Sequence, residues 1–394
     1  MYLQEKLQSA KYRPSGFDYM RLVLSISVIV SHSFTVTEGA QIAHDLYRSP
    51  AGAVLKLIVP AFFVLSGFLV AGSMQRSNTL LTFLGLRILR IYPALIAEVL
   101  LSALILGPIV TEIPLSQYFS DPIFTRYLLN ATGDVSYNLP GVFLSNPRSG
   151  IVNSQLWTVP WELACYSVLA LFILGGSRRH RLVALAGFCL TELAFNRGYI
   201  TGRHQLAIHY GHIPGLFLIQ FFLCGLIAYL YKEYIIINRN LFAICLMLSM
   251  ILTIYVPGGD IILPFPLTYC VVYLGSMNPM RARLLRHVDI SYGIYLYGFV
   301  IQQFVVWAIP SARTWYLNTL LSVPLSILAG LLSWYGIERH ALKLRPGLAM
   351  LEAGWLRMRG ALLAMAPAPI QTLFLFVHGP AADKAIEESR PIPS

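Results

Sequence analysis

The stretch RLVLSISVIVSH, residues 21–32, sets an arginine and a histidine at the two ends of a run of mostly apolar residues. On an α-helix eleven positions amount to roughly 1,100° of rotation, about three turns plus 20°, so Arg21 and His32 share a face. The rise between them is about 16 Å. With the arginine at the cytoplasmic surface, the histidine lies near the middle of a hydrocarbon core about 30 Å thick. An ionisable group at that depth is costly enough to make function the default reading. A neutral imidazole hydrogen-bonded across a helix interface is the structural alternative.

The rest of the chain places this stretch in a bilayer. Of 394 residues, 56% are hydrophobic and only 12% charged, far from the balance of a soluble domain. Apolar runs long enough to cross a membrane, about 17–25 residues, fall near 19–36, 54–74, 91–110, 156–174, 182–196, 212–231, 241–257, 261–277, 289–309 and 317–337; the fifth is short. With the N-terminus inside, 22 of the 29 lysines and arginines lie on the cytoplasmic side and 7 outside, a positive-inside bias. The expectation is an all-α, polytopic integral membrane bundle of about ten transmembrane helices with both termini cytoplasmic. The net charge of +11 follows from that topology; no basic run interleaved with aromatics points to nucleic acid.

The basic segment before the first apolar run resembles a signal peptide, but no small-residue cleavage site follows, so an uncleaved first helix is expected. The five cysteines, Cys165, Cys189, Cys224, Cys245 and Cys270, lack metal-ligand spacing and read as small packing residues. No metal site is expected. Residues 1–16 read as a cytoplasmic segment, 17–345 as the membrane domain, and 346–394 as a cytoplasmic tail, partly membrane-surface or disordered. The longest outer connection, about 111–155, is rich in Pro, Gly, Asn and Ser, and such loops often shape binding sites. No internal repeat supports an inverted-repeat transporter.

Three further stretches carry polar groups into the apolar segments. In LRILRIYPAL, Arg87 and Arg90 are three apart and neighbours on a helix face; two guanidiniums at the cytoplasmic mouth of the third span can grip a phosphate-rich anion or serve as membrane anchors. Tyr92 and Pro93 read as an interfacial aromatic and a first-turn proline. In QLWTVPWELACY, Glu162 falls about two turns into the fourth span and needs a proton or a partner, for which an imidazole is one candidate; Pro160 removes a backbone donor beside it. In VPAFFVLSGFLVAGS, Ser66, Gly67 and Gly72 permit close helix approach or a narrow channel. Glu98 is a further intramembrane acid with no motif around it.

Taken in order, FDYMRLVLSISVIVSH, FFVLSGFLV, Arg87-x-x-Arg90 followed by IYP, Trp157 five residues before Glu162 with Tyr166 beyond, SYGIYLYG from Ser291 and YGIER from Tyr335 resemble the membrane-bound acyltransferase 3 family over about residues 15–345. The resemblance implies transfer of an acyl group, acetyl first among the candidates, from cytoplasmic acyl-CoA to a sugar hydroxyl of a surface glycan or glycolipid. It maps the family's histidine onto His32, its basic partner onto Arg21, its paired arginines onto Arg87 and Arg90 and its acidic residue onto Glu162. His32 and Glu162 are then the expected catalytic residues. Arg21, Arg87, Arg90, Ser66, Trp157 and Tyr166 are the expected donor or substrate contacts. Acyl-CoA is a co-substrate and no bound cofactor is expected; a bacterial inner membrane is the expected setting.

A thioester is already activated, so the enzyme chiefly deprotonates the acceptor and holds both reactants in register; a covalent acyl-histidine is the other mechanism the residues allow. Two positions depart from the family: Gly298 stands where a histidine is common, and His340 where the closing motif has proline. A secondary transporter or flippase with His32 and Glu162 in a proton relay is the rival reading.

Overall fold

The computed structural model describes residues 1–77, 79–174, 181–200, 215–256, 258–282 and 288–364. The connections expected to carry Arg178 and Arg179, Arg203, and Arg283 with Arg286, together with the tail beyond residue 364, lie outside the described residues. Each apolar run falls on a helix. These are α1 (Gly16–Glu38), α2 (Gly52–Arg76), α3 (Leu80–Leu101), α4 (Val159–Leu174), α5 (Arg181–Ile200), α6 (Gly215–Leu230), α7 (Arg239–Tyr255), α8 (Pro264–Gly275), α9 (Ser291–Ala308) and α10 (Trp315–Ser333). A further helix, α11 (Arg345–Ala364), packs on α3. Among the described residues there is no sheet, only the isolated bridges Tyr2 to Ile236 and Thr111 to Val142. Five segments are long and apolar enough to cross a bilayer: Gly16–Glu38, Gly52–Arg76, Leu80–Val110, Ser154–Ile173 and Trp315–Trp355. The chain is a helical membrane protein.

The bundle is apolar outside and polar along its seams. On α10, Leu321, Leu325, Leu328 and Leu332 are exposed at helical spacing, whereas Asn318, Ser322, Ser326 and Ser333 are buried. That inversion of the soluble pattern is what lipid as a solvent selects, because only the seams can satisfy polar groups. Gln302 of α9 is fully buried, and its Nε2 donates to the Ile29 carbonyl at 2.8 Å and to Asn318 Oδ1 at 3.0 Å, joining α9 to α1 and α10. Ser25 Oγ donates to the Ser291 carbonyl at 2.8 Å, and farther along both helices Val36 packs with Phe299 and Val306. α1 and α9 therefore run parallel.

α2 is apolar all round and sits at the centre. It meets α6 at backbone contact: a Cβ on Gly67 would overlap the Phe222 carbonyl, and one on Gly225 the Val64 carbonyl. Close approach is thus the role of Gly67, while Ser66 beside it opens to a cavity. The loop of 111–153 carries the short helices Leu115–Ser120 and Pro122–Leu128 and leads into a 3-10 turn, Ser154–Thr158, ahead of α4.

Two boundaries differ from the sequence reading. α3 starts at Leu80, where Thr79 caps it by accepting from the Thr82 amide at 3.1 Å, so Arg87 and Arg90 lie inside the helix and Pro93 is an interior proline. The apolar count began after Arg90 because the arginines broke it, although the helix itself tolerates them. Pro160 lies in the first turn of α4, where its missing N–H costs nothing, and Glu162 is accordingly only one α-turn deep.

Gly67→Val and Gly225→Val should each separate α2 from α6 and lower stability by about 3 kcal/mol, the upper end of overpacking penalties. Thermal unfolding in detergent measures it, with Gly354→Val, where a Cβ meets nothing within 4 Å, as the control that should match wild type.

Candidate active site

A cavity of about 180 Å³ opens between α1, α2, α3, α4 and α9. Arg21, Ser66, Arg87, Arg90, Glu162 and Tyr166 all line it. Six residues named from sequence, spread over 146 positions from Arg21 to Tyr166, therefore meet in one place. Trp157 and His32 are not among its lining residues. Trp157 packs at the margin of the main core from the 3-10 turn before α4. His32 lies farther along α1, where its ring stands edge-on to Phe299 with centroids 5.2 Å apart, and its buried Nδ1 has no hydrogen-bond partner.

The arginines are held differently. Asp289, which the sequence reading left unassigned, accepts from Arg21 Nη1 at 2.8 Å and from Arg90 Nη2 at 2.8 Å through one oxygen, while Ser291 Oγ donates to the other at 2.7 Å. Arg21 also donates to Asp18 at 2.6 Å. Arg90 reaches Glu338 Oε2 at 3.2 Å and lies over the Tyr292 ring. Glu338 is nearly fully buried, at 2% exposure, and is delivered by a π-helical turn, Trp334–Glu338, an irregularity that often marks functional positions. Arg90 is thus clamped by two carboxylates. Arg87 donates from Nη2 to Ser73 Oγ at 3.2 Å, and its buried Nε has no partner, as is also true of Arg21 Nε; among the described residues no ion pair to a carboxylate is seen for Arg87, so of the three it has the most capacity left for a ligand.

Asp289 lies in the connection ahead of α9, outside the helix. Burial pushes its carboxyl up, but Arg90 and Arg21 outweigh burial and hold it well below the usual carboxylate range. Glu162 finds its partner on its own helix: Tyr166 Oη donates to Glu162 Oε1 at 2.6 Å, the i,i+4 spacing bringing the two groups together. The imidazole is not that partner. Away from the arginines the cavity ends at Tyr295, whose hydroxyl lies 2.7 Å from Thr158 Oγ1 and donates to the Gln155 carbonyl at 3.3 Å. Gln155 Oε1 accepts from the Phe299 amide at 3.1 Å. A Cβ on Gly298 would meet Ile29 Cγ1 at 2.9 Å and Gln155 Nε2 at 3.4 Å, so a larger residue has no space there and Gln155 stands where one would point.

Glu98 is fully buried and accepts from Ser102 Oγ and Asn153 Nδ2, both at 2.9 Å. Asn153 also caps the 3-10 turn that carries Gln155 and Thr158. Glu98 therefore fixes the rim of the cavity farthest from the arginines to α3. Among the described residues no group of three or more His, Cys, Asp or Glu could hold a metal ion.

A basic residue and a histidine eleven apart on one helix, three arginines at one end of a cavity and a carboxylate with its tyrosine in the wall are the features that the sequence motifs led to. The sequence profile described as an acyltransferase domain matches residues 15–339. The chain belongs to the acyltransferase 3 family. It is an acyltransferase, and the aligned region covers both the cavity and His32. Among curated proteins it is similar to an O-acetyl transferase of Shigella phage Sf6, with 24% identity over 346 residues covering 84% of this chain and 97% of the relative. It is also similar to nodulation protein 10 of Rhizobium leguminosarum bv. viciae, with 28% identity over 369 residues covering 85% of this chain and 95% of the relative. No solved structure matches.

Asp289 and Glu338 escaped the sequence reading of this acyltransferase site although both stood in view: Asp289 lies two residues before SYGIYLYG, and Glu338 is the acid of YGIER. The excess of cations over acids among the named residues was the available signal, since three guanidiniums gathered in a membrane require counter-charge.

Asp289→Asn should free Arg21 and Arg90 from their shared anion and destabilise the protein by about 3 kcal/mol. Because the folded-state pKa of Asp289 is depressed, its contribution is present above the unfolded value of about 3.9 and lost as pH falls further. Thermal midpoints in detergent should therefore differ between wild type and variant by a constant amount from about pH 8 to pH 5 and converge below about pH 4.

Proposed function

We propose that this chain is a membrane-bound O-acetyltransferase that takes an acetyl group from cytoplasmic acetyl-CoA and delivers it to a sugar hydroxyl of a glycan or glycolipid outside the bacterial inner membrane. The observation that carries the reading is one cavity joining Arg87, with its unpartnered Nε, to the Glu162–Tyr166 pair and ending at Tyr295 and Thr158, below the level of a histidine on the same helix as Arg21. The name of the phage relative, an O-acetyl transferase, supports acetyl as the group and a hydroxyl as the acceptor.

In this reading the CoA phosphates meet Arg87 first, where a guanidinium with free donors binds them by charge-assisted hydrogen bonds. Arg21 and Arg90, locked on Asp289, supply positive potential rather than a flexible grip. The pantetheine arm runs along the apolar wall of Val59, Phe62 and Phe63 past Tyr295 and Thr158, placing the thioester within reach of His32. His32 accepts the proton of the acceptor hydroxyl as its oxygen bonds to the thioester carbon. The C–S bond then breaks, and the proton passes to the departing CoA thiolate. Glu162 and Tyr166 orient the donor in the cavity wall.

Ten spans with both termini inside form the topology of this proposal. The chain's own pairings support it: the Leu3 amide donates to the Ile235 carbonyl and the Gly16 amide to the Met277 carbonyl, both at bundle ends assigned to the cytoplasm. Asn146 joins Gln303, and Arg313 donates to Ser145, at ends assigned outside. The parallel course of α1 and α9 has the same implication.

Proteoliposomes with labelled acetyl-CoA on the cytoplasmic face and bacterial surface glycan on the other test the proposal. Wild type should place label on the glycan as an alkali-labile ester, folded His32→Ala should lose at least 100-fold of that rate, and Arg87→Ala should raise the KM for acetyl-CoA about tenfold, the loss of one charge-assisted contact. Equal transfer by His32→Ala would make the histidine structural. Movement of glycan across the bilayer without any acetyl-CoA consumption would make the chain a transporter.

A further inference from the structure

The outer end of the bundle also holds a guanidinium with an unmet donor. Arg148 lies in the long outer loop and is half-buried; its Nε is fully enclosed and has no hydrogen-bond partner. The loop around it is fastened to α9. Gln303, fully buried, donates from Nε2 to the Arg148 carbonyl at 2.8 Å and to the Ile151 carbonyl at 2.6 Å, and Asn146 Nδ2 donates back to Gln303 Oε1 at 3.0 Å and to its carbonyl at 2.9 Å. Ile151 packs against the cluster of Val36, Phe299 and Val306. A Cβ on Gly39, at the end of α1, would meet the Pro147 carbonyl at 3.3 Å. Residues 146–151 thus form a lid, held by side-chain to backbone bonds, over the outer ends of α1 and α9.

That lid brings Arg148 to His32. Phe299, on which the His32 ring rests, and Gln303, which holds the Arg148 backbone, are four apart on α9 and so share a face, separated by about 6 Å along the axis. The Arg148 stem spans about that distance. Facing groups therefore carry two buried polar atoms without partners, His32 Nδ1 and Arg148 Nε. Buried polar atoms are nearly always satisfied, and leaving them unmet costs about 1–3 kcal/mol each. An incoming molecule with oxygens can satisfy both.

We propose that Arg148 is the acceptor-binding residue, its guanidinium fork holding the sugar oxygen adjacent to the hydroxyl that gives its proton to His32. This rests on the acyltransferase mechanism proposed above and extends it to the second substrate: the acceptor enters from outside against the 146–151 lid, while the donor enters at Arg87 from the other end. A planar fork with several N–H donors suits a pair of neighbouring oxygens on a sugar ring. A site built to hydrogen-bond a hydroxyl discriminates strongly against the analogue lacking it.

Methyl hexopyranosides and their monodeoxy analogues are the probes, with wild type, Arg148→Met and Arg148→Lys in proteoliposomes supplied with acetyl-CoA. Both variants retain the backbone carbonyl held by Gln303, so the lid stays fastened; thermal midpoints check this, and Arg148→Lys serves if Arg148→Met unfolds. In wild type, removing the hydroxyl beside the acetylated position should lower kcat/KM at least tenfold. In Arg148→Met the KM for the intact hexoside should rise at least tenfold, the same deoxygenation should then matter less than twofold, and the KM for acetyl-CoA should stay within twofold. Arg148→Lys should fall between. An acceptor KM within twofold of wild type in both variants overturns the assignment, as does a KM for acetyl-CoA that rises in step. Should wild type consume no acetyl-CoA with any glycan or hexoside, the acyltransferase mechanism itself fails, and this assignment with it.

Discussion

The anion shared by two guanidiniums organises the inner half of this protein. Asp289 accepts from Arg21 on α1 and Arg90 on α3, and Glu338 holds Arg90 from the far end of α10. Four segments distant in sequence are tied at one level. Isolated charges inside a bundle would each cost several kcal/mol, whereas a network with every partner in place recovers most of that and fixes one register. The network also frees Arg87: because the neighbouring cations are neutralised by protein acids, its Nε remains unused at the cavity wall. In the proposed reaction a multiply charged donor then meets Arg87, free of carboxylate partners among the described residues, in a positive surround supplied by Arg21 and Arg90.

Polar seams do the corresponding work farther out. Gln302 links α9 to α1 and α10, Gln303 fastens the outer loop, and Glu98 with Asn153 ties α3 to the turn that carries Gln155 and Thr158. In lipid the apolar faces gain little by meeting one another, so orientation falls to these bonds and to backbone approach at small residues such as Gly67. The turn that Asn153 fixes borders the cavity at Thr158. Contacts that choose the packing of the helices thus also shape the cavity wall.

Much of this was legible in the sequence, for reasons that differ by residue. Helix positions followed from apolar runs, and the face shared by Arg21 and His32 followed from helical pitch alone. The convergence of Arg87, Arg90, Glu162 and Tyr166 rested on resemblance, since nothing in spacing brings α3 to α4. The start of α3 was misplaced because hydropathy reports the lipid boundary and not the end of the helix. Glu162 was expected to need a partner, and Tyr166 sits four residues on; the local i,i+4 rule would have supplied it. Arg148 was invisible because its significance lies in a loop fold fastened by Gln303, and loop conformations carry no periodic signal.

His32 stands beyond the cavity, and this bears on how a single histidine would serve two compartments in the proposed reaction. Tyr295, Thr158 and Gln155 separate it from the cavity lined by the arginines, joined by the 2.7 Å contact between hydroxyls and by the bond to the Gln155 carbonyl. On its other side it is covered by a loop that is bonded chiefly through side chains to α9. A barrier made of hydroxyl contacts opens at low cost, since each net hydrogen bond is worth about 1 kcal/mol, and a thioester carbonyl arriving there can replace the bond it breaks. A continuous water-filled channel through the same position would instead expose the thioester to hydrolysis. In the proposed reaction, polar contacts that yield to substrate, placed on both sides of the imidazole, would let donor and acceptor reach it from opposite faces while water is kept from connecting them.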